Sequence, residues 1–146
     1  MKLVVKPNKK INILLIDSDH FVRNQFKESL EKLKVFTTIS EAADGVVGKM
    51  KSEKQNYDII VADLEIPKLS CYEFISLHRK FEKSTVTQIR SNLVLTSKNL
   101  TVETVQKSKE LMVKHIIRKP CSASEFQKKI LEVIVNDLKD KVKILS

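Results

Sequence analysis

The apolar run in "NILLIDSDHF" (12–21) breaks off in two carboxylates, Asp17 and Asp19, with Ser18 between them. A second run, "YDIIVAD" (57–63), ends in Asp63. Thr96-Ser97 ends "NLVLTS" (92–97), and Lys119-Pro120 closes the run "KHIIRK" (114–119). Singly, these residues have ordinary explanations: an Asp after a strand caps a helix, a Thr packs, a Lys stays solvated. Together they are carboxylates, a hydroxyl and an ammonium. Carboxylate oxygens suit a hard cation such as Mg²⁺, while Lys and Thr suit phosphoryl oxygens.

That chemistry requires the runs to end on one edge. "INILLI" (11–16), "VFTTIS" (35–40), 57–63, 92–97 and 114–119 read as strands, several of them apolar throughout. Between them lie helical stripes: Val22, Phe26, Leu30 and Leu33 over 20–34; a short helix capped by Asp44; Phe74, Leu77 and Phe81 over 70–81. A weaker stripe, Val102, Val105 and Leu111-Met112, covers 101–112. The last, over 122–139, opens with a Ser122–Glu125 capping box and continues with Phe126, Ile130, Val133, Ile134 and Leu138. Five alternations of strand and helix predict a doubly wound α/β fold with a parallel sheet covered on both faces. Such sheets bind ligands beyond the C-terminal strand ends, where the four groups above sit.

Composition narrows the class. The chain has 146 residues, which fits one domain. Residues 1–10 read as a flexible basic arm, 11–139 as the domain and 140–146 as a tail. No apolar run reaches the roughly 20 residues of a membrane span, so no membrane partner is expected. Cys71 and Cys121 lack metal-type spacing, and a reducing cytoplasm fits them. His20, His78 and His115 are scattered and suggest no metal set. Lys and Arg number 27 against 18 acids, a net charge of +9. The excess draws nucleic acid, anionic lipid or acidic protein. Few arginines and only 5% aromatic residues argue against a base-reading surface, so the excess reads as a solvated face and nucleic acid is not an expected partner.

The strand-end groups resemble those of the receiver domains of two-component response regulators, chemotaxis-type stand-alone receivers included. The matching residues are Asp17 after the first strand, Asp63 with Pro67 four residues on, Thr96 after the fourth strand, and Lys119-Pro120 after the fifth. "EAADGVVG" (41–48) resembles the family's stretch after its second strand. The resemblance covers 11–139. It implies the five-unit flavodoxin-like fold with strand order 2-1-3-4-5 and a cis Lys119-Pro120 bond. It also implies a phosphoacceptor rather than an enzyme, one that assists its own phosphorylation and dephosphorylation. Asp63 would take a phosphoryl group from a histidine kinase or phosphotransfer protein. Mg²⁺ would lie among Asp17, Asp63 and the Glu65 carbonyl. Lys119 would pair with Asp63 at rest, Thr96 would swing to the phosphoryl group, and the 101–139 face would pass the signal to a downstream protein.

Four positions depart from the family pattern. The second acid is Ser18, with Asp19 one residue late; Asp19 either caps the following helix or bends into the metal site. The aromatic switch position is Ile116, a glycine after the third-strand turn is Cys71, and the usual small residues before the last strand are Val113-Lys114-His115. Two carboxylates about 4–5 Å apart repel by roughly 3–4 kcal/mol at an effective dielectric near 20. Losing one relaxes the metal-free site and removes a comparable attraction for Mg²⁺. Weak Mg²⁺ binding and slow phosphorylation are therefore expected. Two other readings stand: a phosphorylation-independent interaction module in which Asp63–Lys119 is a structural ion pair, and the receiver piece of a DNA-binding regulator.

Overall fold

Strict alternation of side chains across a central sheet builds two cores. A computed structural model describes residues 2–86 and 89–145. In chain order the elements are β1 (Lys2–Val5), β2 (Asn12–Ile16), α1 (His20–Glu31), β3 (Thr38–Ala42), α2 (Gly45–Lys54), β4 (Ile59–Asp63), α3 (Cys71–Ser84), β5 (Asn92–Ser97), α4 (Val102–Glu110), β6 (His115–Arg118), α5 (Ala123–Asp137) and β7 (Val142–Leu145). Five strands form a parallel sheet in the order β3-β2-β4-β5-β6. Without the terminal strands this is 2-1-3-4-5, as the resemblance implied. Ile13, Leu15, Val61 and Val94 face Phe26 and Leu30 of α1 and Phe126, Ile130 and Val133 of α5. Phe26 and Phe126 stack with ring centroids 3.7 Å apart. Leu14, Ile16, Ile60, Ala62 and Leu95 face the other way, against Phe74 and Ile75 of α3. Burying a side chain of this size contributes about 1.5–3 kcal/mol, so the sheet is fixed on both sides.

Local signals set the helix starts. The Asp19 carboxylate accepts from the Phe21 and Val22 amides, Asp44 from Val47, Ser70 from Glu73, and Ser122 forms the expected capping box with Glu125. Gly45 touches the loop that follows β4, where an added Cβ would collide with the Leu69 backbone. Cys71 needs no left-handed backbone: that conformation falls at Lys68 (φ 71°), and Cys71 is the first residue of α3 behind its Ser70 cap. The Lys119-Pro120 bond is cis.

Three expectations need correction. The basic arm and the tail are not free segments: β1 pairs antiparallel with β7, Lys2 opposite Leu145 and Val5 opposite Val142. Their end residues, Met1 and Ser146, lie outside the described residues. This ribbon forms because Leu3 and Val5 pack on the α1/α5 core and Val142 joins it. It is latched by Lys141, whose ammonium bonds Asp58 Oδ1 at 2.6 Å and the Lys10 carbonyl at 2.9 Å. The second sheet strand spans 38–42 rather than 35–40, because Val35 and Phe36 pack on the core from the preceding loop. The stripe expected on α4 points outward: Val102 is 75% exposed, and Thr104 and Ser108 are the buried residues. The buried Ser108 hydroxyl is satisfied within the helix, donating to the Thr104 carbonyl at 2.7 Å.

Candidate functional site

Parallel strands deliver β2, β4 and β5 to one edge, and the loops after them carry the titratable groups. Asp17 follows β2, Asp63 ends β4, Thr96 lies in β5 and Lys119 follows β6; all four are buried. The Lys119 ammonium donates to Asp17 Oδ2 at 2.5 Å and to Asp63 Oδ1 at 3.2 Å. The Thr96 hydroxyl donates to the same Asp63 oxygen at 3.2 Å. Asp63 Oδ2 accepts from the Glu65 amide at 3.3 Å, a long bond. So Lys119 bonds Asp63, the pair that the resemblance implied, and also Asp17, its nearer partner.

A cleft of about 340 Å³ opens on this cluster. Ser18, Asp19, Glu65, Lys98 and Cys121 line it beside Asp17, Asp63 and Lys119. Asp19 Oδ1 is committed to capping α1, at 2.9 Å from the Phe21 nitrogen, and its own amide donates to Asp17 Oδ1 at 2.9 Å. Capping is therefore observed for Asp19, while its position also borders the cleft. Two cationic residues escaped sequence reasoning. Arg23, one helical turn past Asp19, donates to the Asp17 carbonyl at 2.6 Å and pairs with Glu41 at 3.2 Å. Lys98, two residues past Thr96, reaches the cleft mouth. Spacing from Asp19 and Thr96 was the available signal for both.

Charge dictates protonation here. Burial works to lower the Lys119 pKa, but hydrogen bonds and attraction from Asp17 and then Asp63 outweigh it and raise the pKa above the ordinary lysine range. Lys119 is thus a cation at neutral pH. Burial and the nearby Asp63 charge push the Cys71 thiol up to about 12. Cys121 is raised too, by burial and Glu125 against the opposing effect of Lys119.

The donor set is all oxygen, which is hard-cation chemistry. Among the described residues, no three His, Cys, Asp or Glu side chains are placed to hold one metal ion. Asp17 and Asp63 are two anionic donors, and Mg²⁺ is commonly held by one or two carboxylates with water and phosphate completing its shell. The residues fit that cation with little charge to spare, since Lys119 already neutralises one carboxylate.

Residues 13–131 match the model of the response regulator receiver domain. A methylesterase, "Protein-glutamate methylesterase/protein-glutamine glutaminase 2" of Hahella chejuensis (strain KCTC 2396), is 33% identical over 91 residues, covering 62% of this chain and 24% of that one. The chain thus spans about a quarter of that relative's length. Among solved structures, a CheY-like receiver domain protein from Methanospirillum hungatei JF-1 aligns with TM-score 0.77 at 19% identity, over 90% of this chain and 99% of the other. The chemotaxis response regulator CheY4 of Vibrio cholerae aligns with TM-score 0.73 at 20% identity, over 86% and 99%. The response regulator domain of Thermotoga maritima CheB gives 0.73 at 19%, over 90% and 98%. At these identities the structural matches show the fold.

Proposed function

The chain belongs to the response regulator receiver domain family, and on that premise we propose that it accepts a phosphoryl group on Asp63 from a histidine kinase or phosphotransfer protein. One observation carries this reading: Asp63 ends its strand in an open cleft, with Lys119 and Thr96 both bonded to a single one of its oxygens. The other oxygen meets only a long amide bond. That oxygen attacks phosphorus, the P–N bond to the donor imidazole breaks with its electron pair leaving on nitrogen, and an aspartyl phosphate forms. Lys119 then neutralises phosphoryl oxygens, and the Thr96 hydroxyl shifts from carboxylate to phosphoryl oxygen. Such a transfer is a local charge event that a two-state element reads out.

Asp17, Asp63 and the Glu65 carbonyl, with Ser18 or the free oxygen of Asp19, would hold a weakly bound Mg²⁺, which supplies positive charge against the phosphoryl oxygens. Ser18 contributes no anion. With Ile116 at the aromatic position, the Thr96 shift acts on the 101–139 face without a rotating ring, and that face meets a downstream protein. The cytoplasm is the compartment this reading places the chain in.

A second reading rests on the 2.5 Å contact of Lys119 with Asp17. A lysine held that way makes the cluster a structural ion pair, and the domain a phosphorylation-independent interaction module. Incubation with acetyl phosphate at tens of millimolar Mg²⁺ separates the two. The expected outcome is a slowly formed phosphoprotein that intact-mass measurement detects and that is missing from Asp63→Asn. Equal, null labelling of both proteins leaves the interaction module as the function.

A further inference from the structure

Cations are unevenly distributed over this molecule, and the cleft uses little of the +9 surplus. Parallel strands joined by helices gather every sheet-strand N-terminus and every helix C-terminus at the end opposite the cleft. There Lys54 and Lys83 close α2 and α3, Lys109 lies in the last turn of α4, and Lys114 precedes β6. The same helix ends also carry Glu31, Glu53, Glu82, Glu110 and Asp137, so the surplus of this end lies in the terminal segments.

The terminal ribbon concentrates the effect. Its latch to Asp58, just before β4, places it at this same end. Pairing β1 with β7 unites two stretches that are far apart in sequence: Lys2, Lys6, Lys9 and Lys10 meet Lys139 and Lys143, all six exposed. Across residues 2–12 and 138–145 the only acid is Asp140. The register puts Lys2 and Leu145, with Val4 and Lys143, on one ribbon face, while Leu3 with its partner Ile144, and Val5 with Val142, take the face that packs inward. Leu145 is 42% exposed and Ile144 49%. Aliphatic side chains therefore stand among flexible ammonium groups.

We propose that this ribbon end docks on an anionic lipid bilayer, with the lysines on lipid phosphates and Leu145 at the headgroup–acyl boundary. Nucleic acid fits the surface less well. Among the described residues the exposed aromatic side chain, Phe21, belongs to the cleft end, and Arg90 is the exposed guanidinium of the lysine end. A stacking ring and a set of bidentate forks are thus missing where a nucleic-acid strand would need them. Docking on lipid departs from the expectation of no membrane partner and of a basic excess that is only solvated; a peripheral contact needs no spanning segment. The contact lies outside residues 13–131, the part that matches the receiver family, and leaves the cleft facing away from the lipid.

Flotation with phosphatidylcholine vesicles, with and without about 30% phosphatidylglycerol, tests this on the unaltered chain. Binding is expected only with the anionic lipid at about 0.1 M NaCl, and is expected to fall steeply near 0.5 M. Replacing Lys2, Lys6, Lys9 and Lys10 by Gln should weaken binding at least tenfold. Replacing Lys27, Lys49, Lys68 and Lys128 by Gln removes the same charge elsewhere and should weaken it far less. Leu145→Ser should cost a further few-fold. Equal binding to neutral vesicles, absence of binding, equal loss in the two quadruple variants, or tighter retention on a DNA duplex at the same salt would each overturn the proposal.

Discussion

Two lysines hold buried aspartates at opposite ends of one sheet. Lys119 bridges Asp17 and Asp63 at the C-terminal edge; Lys141 binds Asp58 at the N-terminal edge. Both pairs are close, so proximity does not separate a reacting group from a fastening. The balance of charge differs between them. Asp58 has the Lys141 ammonium on one oxygen and the Asn12 amide on the other at 2.8 Å. Its carbonyl takes the Asn92 amide. At the other end one cation serves two acids, an Asp63 oxygen is loosely held, and a cleft reaches both. The N-terminal edge matches one cation to one acid; the C-terminal edge leaves one of two carboxylates without a counter-charge of its own.

Removing each cation breaks or sharpens this contrast. Lys119→Met leaves two buried carboxylates without a counter-charge and should cost about 3–5 kcal/mol in urea unfolding without divalent ions. Part of that should return with tens of millimolar Mg²⁺, because the cleft admits it. Lys141→Met should cost about 2 kcal/mol, less because its ammonium is partly solvated, and Mg²⁺ should return a smaller share of it, because a single bared carboxylate is left there. The same response to Mg²⁺ at both ends would erase the distinction.

Smaller effects refine it. Ser18→Asp adds an anion beside Asp17 and Asp63 and should tighten Mg²⁺ binding about tenfold, roughly 1.4 kcal/mol, by isothermal titration. An unchanged affinity would mean that residue 18 is not the missing ligand. The smallest effect is in pH. The Lys119 pKa is raised on folding, so its contribution is complete below the unfolded lysine value of about 10.4 and is lost as pH rises through the higher folded value. Urea midpoints should therefore fall more steeply above about pH 10 in the wild type than in Lys119→Met.

The site was readable in sequence wherever a strand announced its own end. Asp17, Asp63, Thr96 and Lys119 follow or close apolar runs, and parallel topology does the gathering. Helix caps were equally legible, since Asp44 and Ser122 act within their own turn. Information carried by distant partners was not. "KLVV" and "VKIL" have no meaning as strands until they meet. Val35 is 4% exposed without being in a strand, so apolar character marked burial and overran the element. On α4 the small Thr104 and Ser108 take the buried positions that size and polarity would give to Val102 and Val105. The choice of Asp17 as the nearer partner of Lys119 depends on where the loop after β6 lands, and no residue pattern encodes it.

The ribbon also orders events in time. β1 precedes β7 by the whole of the receiver fold, so its edge closes only after β7 has been synthesised. At 5–20 residues per second that wait lasts on the order of ten seconds. Lys2 and Lys6 flank the open edge during it, and charge at such positions discourages pairing with a neighbouring nascent chain.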